Sequence, residues 1–171
     1  QGRVVYVGGI SKIVAPGLRL GFMVGPPDFI EKATQLRRII DRQGDHIMEK
    51  VMAMMLRNGD YQRHTKKVLK VYEKRRDQFL KYLSAFPEFT FKKPSGGLAV
   101  WVGLDPDIKW GTLSSWAETK GLLLPRWQNY DVLATGHNYI RMGFASLNEI
   151  EMRAAFDILR EGIDYLKLQT S

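Results

Sequence analysis

The chain has 171 residues, with 26 Lys and Arg against 18 Asp and Glu, which gives a formal net charge of +8. A hydrophobic fraction of 44% is enough to build a core and excludes an intrinsically disordered chain. The absence of cysteine excludes disulfides, zinc–thiolate sites and cysteine nucleophiles. No apolar run is long enough to predict a transmembrane helix. The chain begins at Gln1 without a signal-peptide pattern, so we expect it to be a piece of something longer.

The first predicted elements are two short strands and a helix. Arg3 to Val7 predicts a short buried strand, which a pair of glycines ends. Leu20 to Val24 predicts a second strand, closed by a Gly-Pro-Pro turn. Behind that turn, Asp28 and Glu31 have the spacing of a capping box, and apolar residues recur at helical intervals, so a helix is predicted there.

Two further helices are predicted in the middle of the chain. A methionine-rich segment from His46 to Leu56 predicts the first, and we expect its methionines in the core or at a subunit interface rather than on a binding surface. An Asn-Gly turn and Asp60 as N-cap predict a long helix from about Tyr61 to Ser84. Residues 57–76 hold eight Lys and Arg against two acidic residues. This basic stripe could bind a phosphate backbone or an acidic partner, although we favour a solvated helix face.

Strands alternate with helices in the last part of the chain. The predicted strands are short and bounded by turn residues: Phe89 to Lys93, Leu98 to Leu104, Leu122 to Leu124 and Tyr139 to Phe144. One helix is predicted from Thr112 to Lys120, where Gly121 ends it. Ser146 and Glu149 predict a capping box for the last helix.

This order of elements predicts an α/β chain in three parts. Residues 1–59 are predicted to be the end of an α/β layer, and residues 60–83 to be a connecting helix. Residues 84–171 are predicted to form a small α+β domain with helices packed on a short sheet.

Several common kinds of functional site have no counterpart in the sequence. The histidines His46, His64 and His137 lack the spacing of metal ligands, so we expect no metal site. The chain also lacks a phosphate-loop motif ending in Gly-Lys-Ser/Thr and the Gly-x-Ser-x-Gly motif of hydrolases.

One segment combines residues that can carry chemistry. Lys12 follows the first predicted strand, Arg19 precedes the second, and the loop between them is rich in Gly and Pro. We expect partial burial and a neighbouring cation to favour the neutral amine of Lys12, which is the form that reacts with carbonyls. The Arg19 guanidinium can pair with a phosphate. A reactive lysine beside a phosphate-binding arginine is typical of pyridoxal-phosphate binding.

The residues of this segment also resemble those of a known family. Ser11-Lys12, followed by Pro-Gly-Leu-Arg-Leu-Gly at residues 16–21, resembles the cofactor-lysine segment of fold-type I pyridoxal-phosphate enzymes, the aspartate aminotransferase superfamily. Further segments resemble one branch, the aminotransferase-like domain of MocR-type regulators in the GntR family: Pro26-Pro27-Asp28, Arg42 to Asp45, Arg63-His64, Ser95 to Leu98 and Tyr139 to Ser146. The resemblance covers nearly the whole chain in the right order.

The resemblance implies roles for five residues. Lys12 would form a Schiff base with pyridoxal 5'-phosphate, and Arg19 would hold the cofactor phosphate with Ser11 close by. Arg141 would bind the α-carboxylate of the substrate or effector through a bidentate contact. Gly97, in the pair Gly96-Gly97, would let the ligand approach the backbone, although a hairpin turn explains the pair equally well.

Two features depart from the family pattern. The family often has Ser or Thr three positions before the lysine, where this chain has Gly9, so we expect one hydrogen bond to the phosphate to be missing. The loop from Pro125 to Tyr130 is bulkier than the small-residue loop of the family, and we expect it to change or restrict the ligand pocket.

The resemblance implies that residues 1–59 end the large cofactor-binding domain of a fold-type I transferase and that residues 84–171 are its small domain. We favour the ligand-sensing domain of a cytoplasmic, homodimeric regulator, which binds an amino acid or amine and reaches DNA through an N-terminal winged-helix domain. A free-standing aminotransferase acting on an amino acid and a 2-oxo acid is the alternative. A plain interaction module that does not use Lys12 is the third hypothesis. Because the family's ring-binding residues lie upstream of the lysine strand, we expect this chain alone to bind the cofactor weakly and to be inactive.

Overall fold

A computed structural model describes residues 3–42, 44–131 and 133–170 of the chain. The chain forms two compact units, Gln1–Lys70 and Val71–Ser171. Within the described residues, no helix combines the length and the apolar character that crossing a membrane requires.

An antiparallel pair of strands opens the first unit. Strand β1 (Tyr6–Gly9) pairs with β2 (Gly21–Val24), and Gly9 lies opposite Gly21. The prediction that the glycine pair ends the first strand was wrong, because both glycines lie inside β1. The Phe22 ring covers Gly8 so closely that an added Cβ would lie 2.4 Å from it, which explains why glycine is needed there. The prediction of a buried strand was also wrong: a two-stranded ribbon has two open faces, and Val7 is 69% exposed.

Two helices follow the ribbon. Helix α1 (Pro27–Ile40) starts one residue before Asp28, and Pro26 occupies the N-cap position without a side-chain hydrogen bond. The predicted capping box was therefore wrong, because proline at the first helical position starts the helix instead. Helix α2 (His46–Arg57) confirms the methionine-rich helix, and the Asp45 carboxylate accepts the Met48 backbone N–H at 3.1 Å as its N-cap.

Helix α3 (Asp60–Leu83) is the long helix that the sequence predicted. Gly59 precedes it with a φ of +73°, in the left-handed region that favours glycine. Asp60 is the first helical residue rather than the N-cap. Its carboxylate pairs with the Arg63 guanidinium at 2.5 Å, so the side chain is used in an ion pair and not in capping.

The second unit contains a three-stranded antiparallel sheet in the order β3-β4-β5. Its strands are β3 (Phe89–Phe91), β4 (Ala99–Leu104) and β5 (Tyr139–Gly143), and helices α4 (Trp110–Thr119) and α5 (Glu149–Thr170) complete the unit. Buried side chains alternate with exposed ones along β5, and along β4 as far as Val102, after which Gly103 and Leu104 are both buried. The buried face packs on residues of three helices: Phe79 and Leu83 of α3, Leu113 of α4, and Phe156 and Leu159 of α5.

Two further local predictions were wrong in the second unit. Leu122 to Leu124 is not a strand, because Gly121 turns the chain with a φ of +83° and the Leu122 N–H bonds back to Ala117 O at 3.0 Å. The last helix begins after Asn148 rather than after Ser146. Asn148 Oδ1 accepts the Glu151 N–H at 3.0 Å, and the Asn148 N–H donates to Glu151 Oε2 at 2.8 Å. This reciprocal pair is a capping box two residues later than predicted.

Candidate functional site

The candidate cofactor residues lie in one loop, residues 10–20, which joins β1 to β2 and is called the lysine loop here. The buried Ile10 holds its base together: the Ile10 N–H donates to Leu20 O at 3.1 Å. The Ile10 carbonyl accepts the N–H groups of Ile13 at 3.0 Å and of Val14 at 3.1 Å. Lys12 therefore sits in a closed, hydrogen-bonded turn directly beyond the end of β1.

The second cation of the lysine loop is held by an unusual backbone. A short 3-10 turn, Pro16–Leu18, precedes Arg19, which has a φ of 48° and a ψ of 30°. This is the left-handed region, where a residue with a Cβ is strained by about 1 kcal/mol. Arg42 and Ala134 share this left-handed conformation, with φ values of 53° and 51°, so the strain marks the backbone of Arg19 and does not by itself assign it a role.

Both charged side chains of the lysine loop are exposed, and Ser11 is half-buried. The expected partial burial of Lys12 was therefore wrong for this unit, because the turn projects beyond the end of a two-stranded ribbon. Within residues 3–42, 44–131 and 133–170, no hydrogen bond or ion pair engages the Lys12 amine, the Arg19 guanidinium or the Ser11 hydroxyl. All three groups are free to bind a ligand.

A residue of helix α3 fixes the far side of the lysine turn. His64 Nε2 lies 2.8 Å from the carbonyl oxygen of Ile13, the residue after Lys12. Because a carbonyl oxygen only accepts, Nε2 carries the hydrogen and donates it. Arg63-His64 is one of the segments that carry the family resemblance, but the sequence predicted no role for His64. A contact between residues 51 positions apart leaves no local signal in the sequence.

Arg141 lies at the centre of β5 in the second unit. Its neighbours Ile140 and Met142 point into the core, so the alternation of the strand places Arg141 on the exposed face. Trp101 of β4 is its directly opposite partner. No described residue makes a hydrogen bond or ion pair with the Arg141 guanidinium, so its two-pronged donor edge is available for a carboxylate.

Three aromatic rings share this exposed face of the sheet. The rings of Trp101 and Tyr139 are nearly parallel, at 10°, with centroids 5.9 Å apart. Tyr130 meets Trp101 edge-on, at 80° and 5.2 Å. Gly103 lies opposite Tyr139, and a Cβ at Gly103 would be 2.6 Å from the Tyr139 ring. The ring therefore lies flat over the glycine backbone.

Asn138 anchors the chain immediately before β5. Its side-chain amide donates to the carbonyls of Leu104, Asp105 and Ile108 at 3.0, 3.1 and 2.7 Å. Its Oδ1 accepts the Trp110 N–H at 3.1 Å. One side chain thus ties the start of the Arg141 strand to the end of β4 and to the start of α4, and nothing in the local sequence pattern indicated this role.

The bulky loop from Pro125 to Tyr130 is packed within the second unit. The Trp127 indole nitrogen would lie 2.9 Å from a Cβ at Gly111, and Tyr130 packs against Trp101. Asp131 closes the loop by accepting the Thr135 hydroxyl at 2.7 Å and N–H at 2.8 Å. The Thr135 hydroxyl bond is the main reason that the pKa of the Asp131 carboxyl is lowered.

Gly97 lies in the turn before β4 with a φ of +86°, and an added Cβ would meet nothing within 4 Å. The turn itself therefore requires glycine. Ser11, Lys12 and Arg19 lie on the same loop of the first unit. Gly97 and Arg141 lie in the second unit.

Comparison with known proteins places these features in a family. The family model described as aminotransferase class I and II matches residues 1–159. The chain is 32% identical over 155 residues to the uncharacterized HTH-type transcriptional regulator YdfD of Bacillus subtilis, covering 88% of this chain and 32% of that protein. It is 30% identical over 165 residues to aromatic-amino-acid aminotransferase 1 of Thermococcus litoralis, covering 95% of this chain and 40% of that protein.

The fold is also that of solved aminotransferases. The multiple substrate aminotransferase of Thermococcus profundus matches with a TM-score of 0.87 at 28% identity, over 99% of this chain and 42% of that one. The chain thus spans 32–42% of the length of the relatives named above. The resemblance and the fold class predicted from the sequence are confirmed: the chain belongs to the class I and II aminotransferase family, with the pyridoxal-phosphate-dependent fold of type I.

Proposed function

We propose that the chain is part of an aminotransferase-like, ligand-sensing domain of a MocR-type regulator, and that Lys12 attaches pyridoxal phosphate there. The lysine loop carries the proposal. It holds an amine on a closed turn and, after the 3-10 turn Pro16–Leu18, a guanidinium on the strained backbone of Arg19, and no described residue engages either group. The regulator YdfD among the relatives supports the sensing role over an enzymatic one.

The residues present fit this cofactor. A primary amine is the group that reacts with its aldehyde, and a guanidinium with a neighbouring hydroxyl suits its phosphate dianion. Gly9 removes one hydroxyl from the family pattern, although a Cβ at Gly9 would meet nothing within 4 Å, so space does not impose the glycine. When bound, pyridoxal phosphate supplies an electron-withdrawing ring that stabilises negative charge at the Cα of an amino acid.

Each candidate residue would have a distinct role toward the cofactor and ligand. Lys12 Nζ would hold the cofactor covalently and, in an active enzyme, move the proton at the ligand Cα. Arg19 and Ser11 would bind the phosphate. Arg141 would bind the ligand carboxylate and so set its orientation. Dimerisation, a cytoplasmic location and DNA binding through a winged-helix domain outside this chain belong to the same proposal.

The test is the visible absorption spectrum of the full-length protein after addition of pyridoxal phosphate, compared with Lys12→Ala. We expect a cofactor band that needs Lys12, and borohydride reduction should leave the cofactor mass on the peptide that contains Lys12. Lys32→Ala, an exposed lysine of α1, is the matched control and should behave as the wild type. An equal band in Lys12→Ala would contradict the proposal.

A free-standing aminotransferase is the second candidate function, because a named aminotransferase is 30% identical to this chain. Both functions use Lys12, Arg19 and Arg141 in the same way. Incubation of the full-length protein with an amino acid and a different 2-oxo acid as amino-group acceptor separates them, with release of the 2-oxo acid derived from the amino acid as the readout. Sustained release with turnover identifies an enzyme, whereas a ligand-dependent spectral change without release identifies a sensor.

A further inference from the structure

We infer that the ligand held by Arg141 is an aromatic amino acid, with its ring against Trp101. The inference rests on the proposed function, because it takes Arg141 as the carboxylate anchor. It goes further than the proposed function, because it assigns the chemical class of the ligand side chain and the residue, Trp101, that selects it.

The register of β4 and β5 places the two groups side by side. Trp101 and Arg141 are directly opposite partners on the exposed face of the sheet. Opposite residues of an antiparallel pair have Cβ atoms about 5 Å apart. The two side chains therefore leave the sheet beside each other on one face, and we expect a ligand bound through Arg141 to have its side chain within reach of the indole.

Trp101 is both open and held in place. It is 47% exposed, which leaves indole surface for a ligand. Tyr139 stacks on it and Tyr130 meets it edge-on, so two rings restrict its movement. Gly103 allows the Tyr139 ring to lie flat against the sheet. A preorganised aromatic surface binds another ring with little loss of side-chain entropy.

The charges on this face disfavour acidic and basic side chains of the ligand. Arg141 is the only charged residue at the β4 and β5 positions on this face of the sheet. The six residues at these positions are Ala99, Trp101, Gly103, Tyr139, Arg141 and Gly143. No second cation at these positions would pair with the side chain of an acidic amino acid. Likewise, no carboxylate there would pair with a basic one. An alanine side chain is too short to cover the indole.

The experiment titrates amino acids into the cofactor-loaded full-length protein and follows both the cofactor absorption and the heat of binding. Phenylalanine should bind at least about tenfold more tightly than alanine, given the typical strength of aromatic pairs together with the buried ring area. Aspartate and lysine should bind no better than alanine. Equal affinities for phenylalanine and alanine would overturn the inference.

Variants locate the effect on one residue. Trp101→Ala should weaken phenylalanine binding about tenfold and leave alanine binding within about twofold. Trp101→Phe should recover most of the phenylalanine affinity, whereas Arg141→Ala should weaken both ligands. If Trp101→Ala weakens both ligands equally, Trp101 is only structural and the inference is wrong. A Lys12-dependent band without aromatic preference contradicts this inference alone, whereas loss of the band itself contradicts the proposed function and this inference together.

Discussion

Glu88 is a buried carboxylate in a small unit, and its partners decide its charge. Lys167 donates a hydrogen bond to Oε1, and Arg160 lies 3.7 Å from Oε2. Burial by itself raises the pKa of Glu88, but the Lys167 hydrogen bond and the two positive charges outweigh it, so the pKa is lowered below its usual 4.5. A carboxyl whose pKa is lowered by folding stabilises the folded state above its unfolded pKa. The contribution of Glu88 to stability is lost as the pH falls through the pKa that its carboxyl has in the folded state.

Glu88→Gln should therefore lower the free energy of unfolding by about 2 kcal/mol at pH 7, because the acceptor of the Lys167 hydrogen bond loses its negative charge and both ion pairs, with Lys167 and Arg160, are lost. The difference from the wild type should shrink as the pH falls below 4.5, where the wild-type carboxyl becomes protonated as well. Urea unfolding and hydrogen exchange in α5 measure both effects. Glu118→Gln, at an exposed position of α4, is the control and should change neither. A pH-independent difference would show that the charge of Glu88 is not the cause.

Asn138 and Arg19 show a second kind of single-residue effect. The two N–H hydrogens of the Asn138 amide are shared among three carbonyls, and its Oδ1 accepts one N–H, at the junction of β4, α4 and β5. The amide therefore positions the strand that carries Arg141. Arg19 instead has a strained, left-handed backbone conformation. The hydrogen bond from the Ile10 N–H to the Leu20 carbonyl helps to maintain it. Asn138 restricts the strand that carries Arg141, whereas Arg19 stores backbone strain in the lysine loop.

At the scale of whole elements, helix α3 holds the lysine loop through a hydrogen bond. Its first turns carry His64, whose Nε2–H donates to the Ile13 carbonyl. Further along, Arg75 of the same helix donates a hydrogen bond to the carbonyl of Ala145, shortly after β5. Both bonds engage backbone carbonyls, so they hold segments in place without taking part in chemistry. We therefore expect His64 to position the turn that carries Lys12.

We expect His64→Phe to weaken pyridoxal-phosphate binding by the full-length protein roughly fivefold to tenfold, the cost of one hydrogen bond. His64→Gln should recover most of the affinity, because its amide N–H can donate to the same carbonyl. The intensity of the Lys12-dependent band against cofactor concentration measures this. His46→Gln, on the exposed start of α2, is the control. Similar losses in His64→Phe and His64→Gln would mean that packing, and not the hydrogen bond, holds the loop.

At the scale of the whole molecule, the net charge of +8 is concentrated on one helix. Lys66, Lys67 and Lys70 of α3 are exposed, and no described residue forms an ion pair with them. A solvated face explains this arrangement. Contact with the phosphate backbone of DNA, or with a fused DNA-binding domain, is the alternative hypothesis.

A triple variant in which Lys66, Lys67 and Lys70 are each replaced by Glu distinguishes contact with DNA from a solvated helix face. If the helix contacts DNA, the full-length protein should bind DNA selected from a random pool more weakly. The slope of the logarithm of affinity against the logarithm of salt concentration should also flatten by about 0.9 for each phosphate that is no longer neutralised. Reversal of Lys32, Lys50 and Lys92 changes the net charge equally at exposed positions elsewhere and is the matched control. Equal effects of the two triple variants would favour the solvated face.

Local patterns predicted much of the fold and the centre of the candidate site. Helical periodicity located α2 and α3, and turn residues bounded β4 and β5, because these signals act over a few neighbouring residues. Ser11, Lys12 and Arg19 could be found for the same reason, since they lie within nine positions of one another. Where two local patterns competed, prediction failed. The cap after β5 uses Asn148 and Glu151 rather than Ser146 and Glu149, and only the packing of α5 chooses between them.

The sequence alone determined the family, the fold class and the chemical identity of the candidate residues, because the motif around Lys12 and Arg19 is contiguous. The tertiary structure decided how those residues are held. His64 reaches Ile13, Asn138 reaches Ile108, and Trp101 meets Arg141 across a strand pair. Each of these contacts joins residues between 30 and 51 positions apart. Such contacts form only when packing brings distant segments together, and no local pattern of side chains encodes them.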